Sequence, residues 1–77
     1  MDDIPKIVQE EFRSLIEMFG NNVHLLGERD GVEFYIYDFS DDVDVGFPLI
    51  VSIFNGKITR VEGFDAVRLV ASFRLEN

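Results

Sequence analysis

Apolar residues fall at Ile4, Ile7, Val8, Phe12, Leu15, Ile16 and Phe19, the repeat of one face of an α-helix. Gln9, Glu10, Arg13 and Glu17 occupy the complementary face. Asp2 or Asp3 suits the N-cap, Pro5 suits the first turn, and Gly20-Asn21-Asn22 is a natural stop. The spacing therefore predicts an N-terminal helix ending near Phe19.

Beyond Gly20 the period shortens to two. Asp30-Gly31 and Asn55-Gly56 are two-residue turn signals, because each pair tolerates the positive φ that tight hairpins require. The first turn predicts a hairpin of strands 23–29 and 32–39. The second predicts a hairpin of strands 45–54 and 57–62. Pro48 has no amide hydrogen to give to a ladder, so it marks an edge or a bulge in the third strand. The last segment reads two ways. Ala66, Leu69, Val70 and Phe73 have helical spacing, whereas Leu69, Ala71, Phe73 and Leu75 alternate like a strand. Gly63-Phe64-Asp65, with Asp65 as N-cap, favours the helix.

These elements define one α+β domain over residues 1–77. The expected architecture is a two-layer sandwich with an N-terminal helix, a four-stranded antiparallel meander and a C-terminal helix, a fifth strand being the alternative for the last element. The turns also fix an expected register. Leu25 then faces Ile36 and Gly27 faces Phe34, and these share an apolar side with Val23 and Val32. His24 opposite Tyr37, Leu26 opposite Tyr35 and Glu28 opposite Glu33 share the other side. In the second hairpin Ile53 faces Ile58 and Val51 faces Arg60, while Phe54 faces Lys57, Ser52 faces Thr59 and Ile50 faces Val61. Phe47, Leu49, Val51, Ile53 and Ile58 are assigned to the helix-covered side, which then also carries Arg60 and Glu62.

One or two short helices cover one face of such a sheet. The second face is expected to show Leu26, Tyr35, Tyr37, Phe39, Ile50 and Phe54. An apolar, aromatic surface of that kind marks an interface, most simply with a second copy of the chain. The competing expectation is that the sheet curls and the C-terminal segment covers that face.

Composition sharpens this picture. Eight Phe and two Tyr among 77 residues supply a rich core for so short a chain. There is no cysteine, hence no disulfide and no thiolate metal site. No apolar run approaches the roughly 20 residues of a membrane helix, and Met1-Asp2-Asp3 lacks the charge of a secretory signal. A cytoplasmic chain without a membrane partner is expected. The net charge is −8. Residues 1–44 hold 12 acids and three bases, a net −9, and residues 45–77 hold three acids and four bases, a net +1. That field repels nucleic acid and suits a homodimer or another protein, most easily a basic one.

Chemistry-bearing constellations are few. His24 is the only histidine, and no Gly-x-Ser-x-Gly, Walker motif or Gly-x-Gly-x-x-Gly is present. No enzyme activity and no cofactor are expected. Glu28 and Glu33, expected across one turn, form with His24 an alternative ligand site. Asp38, Asp41, Asp42 and Asp44 offer oxygen ligands for a hard cation. Counted from Asp38, however, an EF-hand would place Gly at Val43 and Glu at Leu49. The expected function is an interaction module with an accessory or regulatory role. The alternative is a small-molecule or cation-binding domain using the polar, aromatic sheet face or the acidic loop.

Overall fold

The computed structural model describes residues 4–38 and 48–75. Helices α1 (Lys6–Glu11) and α2 (Arg13–Phe19) lead into strands β1 (Val23–Arg29), β2 (Val32–Tyr37), β3 (Leu49–Phe54) and β4 (Lys57–Val61), and helix α3 (Gly63–Leu75) follows. The strands pair in the order β1-β2-β3-β4, every neighbour antiparallel. The α+β class, the order of elements and the helical C-terminus match the expectation.

The N-terminal helix is interrupted once. Phe12 adopts φ −96° and ψ 15°, and this separates α1 from α2. The hydrogen-bond ladder nevertheless continues, since Phe12 N–H donates to Val8 and Ile16 N–H to the Phe12 carbonyl. Pro5 is the N-cap residue, its carbonyl accepting from Val8 and Gln9. The capping expectation for Asp2 and Asp3 lies outside the described residues. Gly20, at φ 107°, closes α2 as expected.

Both hairpin turns form as the sequence predicts. Asp30, Gly31, Asn55 and Gly56 all have positive φ, the signature of the tight turn that matches strand twist. The β3–β4 register is the expected one throughout, from Phe54 opposite Lys57 to Ile50 opposite Val61. Pro48 precedes β3 instead of lying within it. Phe47 lies outside the described residues.

The first hairpin departs from expectation at one residue. Gly27 faces Phe34 and Glu28 faces Glu33 as predicted, but a bulge between Leu25 and Gly27 shifts the ladder. Leu25 then faces Tyr35, His24 faces Ile36 and Val23 faces Tyr37. An extra residue in one strand turns every later side chain to the other face. Val23 thus moves onto the tyrosine side and His24 onto the side of Ile36.

That side is the one the first helices cover. Val8, Phe12, Val23, Tyr35, Tyr37 and Val51 form the buried cluster, with Leu15, Ile16, Leu49, Ile53 and Ile58 packed around it. The rings of Phe12 and Tyr37 lie 5.7 Å apart. Tyr37 also has a polar task there. Its hydroxyl donates to the carbonyl oxygen of Gly20, 2.5 Å away, with that of Leu15 at 3.1 Å. The phenol thereby ties the carbonyls of Leu15 and Gly20 to the sheet, and the Gly20 carbonyl also accepts from Asn22 N–H. Arg60 points to the same side, and its guanidinium pairs with Glu11 of α1.

α3 occupies the opposite face. Gly27 and Phe34 both meet Phe73, whose ring centroid lies 5.7 Å from that of Phe34. The Arg29 guanidinium sits over Phe73 at 4.0 Å. Ala66 of the same helix is fully buried. The C-terminal helix therefore packs on the second face of the sheet, opposite α1 and α2.

Candidate functional site

The second sheet face is not the open surface drawn from the sequence. Tyr35 and Tyr37 are 4% and 2% exposed beneath α1 and α2, and Ile50 is 2% exposed on the opposite face. Leu26 is half-buried and Phe54 is exposed. Phe39 lies outside the described residues. The six residues do not form one patch, because the Leu26 bulge and the β2–β3 register put Tyr35 opposite Val51 and Ile50 opposite Ile36. The covering of the second face by the C-terminal segment is the competing expectation that the structure bears out.

Large apolar side chains remain exposed on α3. Phe64 is 70% and Leu75 86% exposed, and Val67 and Ala71 between them are exposed too. The four are spaced by three, four and four residues, which aligns them along one side of the helix. The inward line is Ala66, Leu69 and Phe73, offset by two positions. At about 100° per residue, two positions set the lines on opposite sides of the helix. α3 is thus apolar on both sides. Beside it, Pro48, Val67, Val70, Ala71, Arg74 and Leu75 line a groove of about 420 Å³. Arg68, mostly exposed, contacts Asp65 at 3.6 Å.

The sequence reading contained this stripe without resolving it. Ala71 and Leu75 entered as half of a strand-like alternation with Leu69 and Phe73. On a helix, that alternation is two i, i+4 pairs on opposite sides, one inward and one outward.

The alternative ligand residues are divided by the sheet. Glu28 and Glu33 stand opposite each other as expected, on the side of Tyr35. Burial and the carboxylates of Glu33 and Glu28 together push the Tyr35 phenol above its usual range. His24 is on the other face, 3.7 Å from Asp38, and both are exposed. Asp41, Asp42 and Asp44 lie outside the described residues. Among the described residues, no three His, Asp or Glu side chains come together as a metal site would require.

A second, smaller cleft of about 190 Å³ opens where α1 and α2 leave the β3–β4 corner. Glu11, Ser14, Arg60 and Glu62 give it a polar rim, and Leu15 and Leu49 line its interior. The Glu11–Arg60 pair occupies much of the charge there, so the rim is largely self-satisfied.

Comparison with protein-family models, curated proteins and solved structures found no match. The functional reading therefore rests on the chemistry of this chain. Among the described residues no helix is long and apolar enough to cross a membrane. On the outer side of α3, Val67, Ala71 and Leu75 are exposed beside an apolar-lined groove.

Proposed function

We propose that this chain is a small protein-interaction module with an accessory role, and that it binds its partner through the outer side of α3. The observation that carries the reading is the exposed line Val67, Ala71 and Leu75 on a helix whose other side already closes the sheet. A helix needs one apolar side to pack on its own domain. A second apolar side turned to water costs solubility, which is the mark of a contact surface.

The test is affinity capture with the immobilised full chain, comparing wild type with Val67→Ser. Both proteins are first shown to share a melting midpoint. The reading expects at least one protein held saturably by wild type and lost by the variant. An identical set of captured proteins would sink it. Light scattering over a dilution series, run alongside, shows whether the chain itself is the protein captured.

A further inference from the structure

Glu28 and Glu33 are charges that the first hairpin leaves unanswered. They face each other across β1 and β2, where two like charges oppose strand pairing. Among the described residues neither carboxylate forms an ion pair. Arg13 pairs with Glu17, Arg60 with Glu11 and Arg68 with Asp65, and the Arg29 guanidinium lies over Phe73 on the other face of the sheet. Tyr35, two residues along from Glu33 on the same face, is 4% exposed, yet its hydroxyl has no hydrogen-bond partner among the described residues. None of those residues has a side-chain oxygen that is both fully buried and unpaired, so this hydroxyl stands at the edge of the packed region, within reach of solvent. Both carboxylates act on it, since after burial Glu33 and then Glu28 hold the phenol above its usual range. An almost wholly buried side chain thus turns an unused polar end towards two unpaired carboxylates. Leu25 faces Tyr35 in the ladder and is 54% exposed, which puts an open apolar side chain beside the three oxygen groups.

We propose that Glu28, Glu33 and Tyr35 bind an alkylammonium group, the head of a lysine side chain or of a free primary amine. An ammonium has three N–H donors and no acceptor. Here it meets two carboxylates and a phenol oxygen, one acceptor for each donor. Its charge relieves the repulsion between the glutamates, and its carbon chain lies along Leu25, as the stems of lysines lie along apolar surface. A hard metal ion fits less well. It asks for six or more oxygen ligands, and among the described residues no three His, Asp or Glu side chains come together. His24, on the other face, takes no part. The site is independent of the contact surface on α3, which packs on the opposite side of the sheet.

The test is an amide chemical-shift titration of the isotope-labelled full chain at neutral pH. The probes are n-butylammonium chloride, doubly capped lysine, and doubly capped norleucine, which keeps the stem and lacks the charge. Both amines should shift residues 25, 28, 33 and 35 saturably, and norleucine should not. Added salt should weaken the binding. Glu28→Gln/Glu33→Gln should weaken it at least about tenfold while raising the urea midpoint, because a repelling pair has gone. Tyr35→Phe should weaken it about fivefold, the worth of one hydrogen bond, with a urea midpoint at neutral pH close to that of wild type. Tighter binding of capped lysine than of butylammonium assigns the site to a lysine side chain, and equal or weaker binding assigns it to a free amine; either upholds the ammonium site. No saturable shift with either amine, the same shifts with norleucine, or unchanged affinity in the double glutamine variant would overturn it. So would saturation of these residues by calcium chloride where the amines fail.

Discussion

The ring of Phe73 on α3 fills the space that a side chain at Gly27 on β1 would need. A Cβ built on Gly27 would lie 2.3 Å from the nearest ring carbon of Phe73, far inside van der Waals contact. The contact also turns Phe73 edge-on to Phe34 and beneath Arg29. It anchors the end of α3 to an edge strand, and with it the helix that carries the proposed contact surface.

Gly27→Ala should therefore destabilise the domain by about 1–3 kcal/mol, the usual cost of forcing extra volume into a packed site. Urea unfolding measures it. Phe73→Leu in the same chain should recover part of the loss, because the two positions compete for one volume and their effects are not additive. Full additivity of the two changes would show that the ring does not constrain residue 27.

The Tyr37 hydroxyl joins the middle of the sheet to the end of α2. Tyr37→Phe keeps the ring contact with Phe12 and removes only the donor to Gly20 and Leu15. The expected loss is about 0.5–1.5 kcal/mol, the net worth of one hydrogen bond, because the Gly20 carbonyl keeps its bond from Asn22 N–H. Amide exchange should quicken over residues 16–20 and change little in β3 and β4. A uniform change across the sheet would contradict a local capping role.

Tyr35 gives the domain a limit on the alkaline side. Its phenol is raised from 10.0 by burial first, then by Glu33, then by Glu28. The unfolded chain therefore loses this proton at lower pH than the folded one. Below the unfolded value Tyr35 adds no pH dependence. Above it the folded state holds more protons, and stability falls as pH rises towards the folded value. Denaturant midpoints measured across that window should decline for wild type and decline less steeply for Tyr35→Phe. Identical slopes would place the alkaline loss on other groups.

Much of this fold was legible in the chain, and the failures have particular causes. Asp30-Gly31 and Asn55-Gly56 set both turns, and the β3–β4 register followed residue by residue. The same register put Arg60 on the helix side, where Glu11 answers its charge. The bulge at Leu26 was not legible, because Leu25 and Leu26 are both apolar and either can take the inward place. β2 gave no help, since Phe34 and Ile36 on one face are as apolar as Tyr35 and Tyr37 on the other. Nothing local told which face α1 and α2 would choose. The contacts made there, such as Tyr37 with Gly20 and Leu15, join elements distant in the chain. The helical spacing of Ala66, Leu69, Val70 and Phe73 marked the inward side of α3, whereas Ala71 and Leu75 stood only in the strand-like alternative, so the outward line was not legible as a helix face.

Two alanines five residues apart separate those stripes. Ala66 is fully buried against the sheet, and Ala71 lies exposed in the outer groove. Leucine and alanine have nearly equal helix propensity, so Ala→Leu leaves the helix itself almost untouched. At Ala66 the added carbons meet the sheet, and the expected cost is about 1–3 kcal/mol. At Ala71 they enter the groove, and stability should stay within about 0.5 kcal/mol of wild type. Urea midpoints of the two variants give the comparison directly. Their binding should order the other way. Ala71→Leu fills the space offered to a partner and should alter capture in a folded protein, whereas Ala66→Leu should alter it only as far as it unfolds the domain. Equal destabilisation at both positions would mean that residue 71 is packed against its own domain, and that the outer side of α3 is not a surface for anything else.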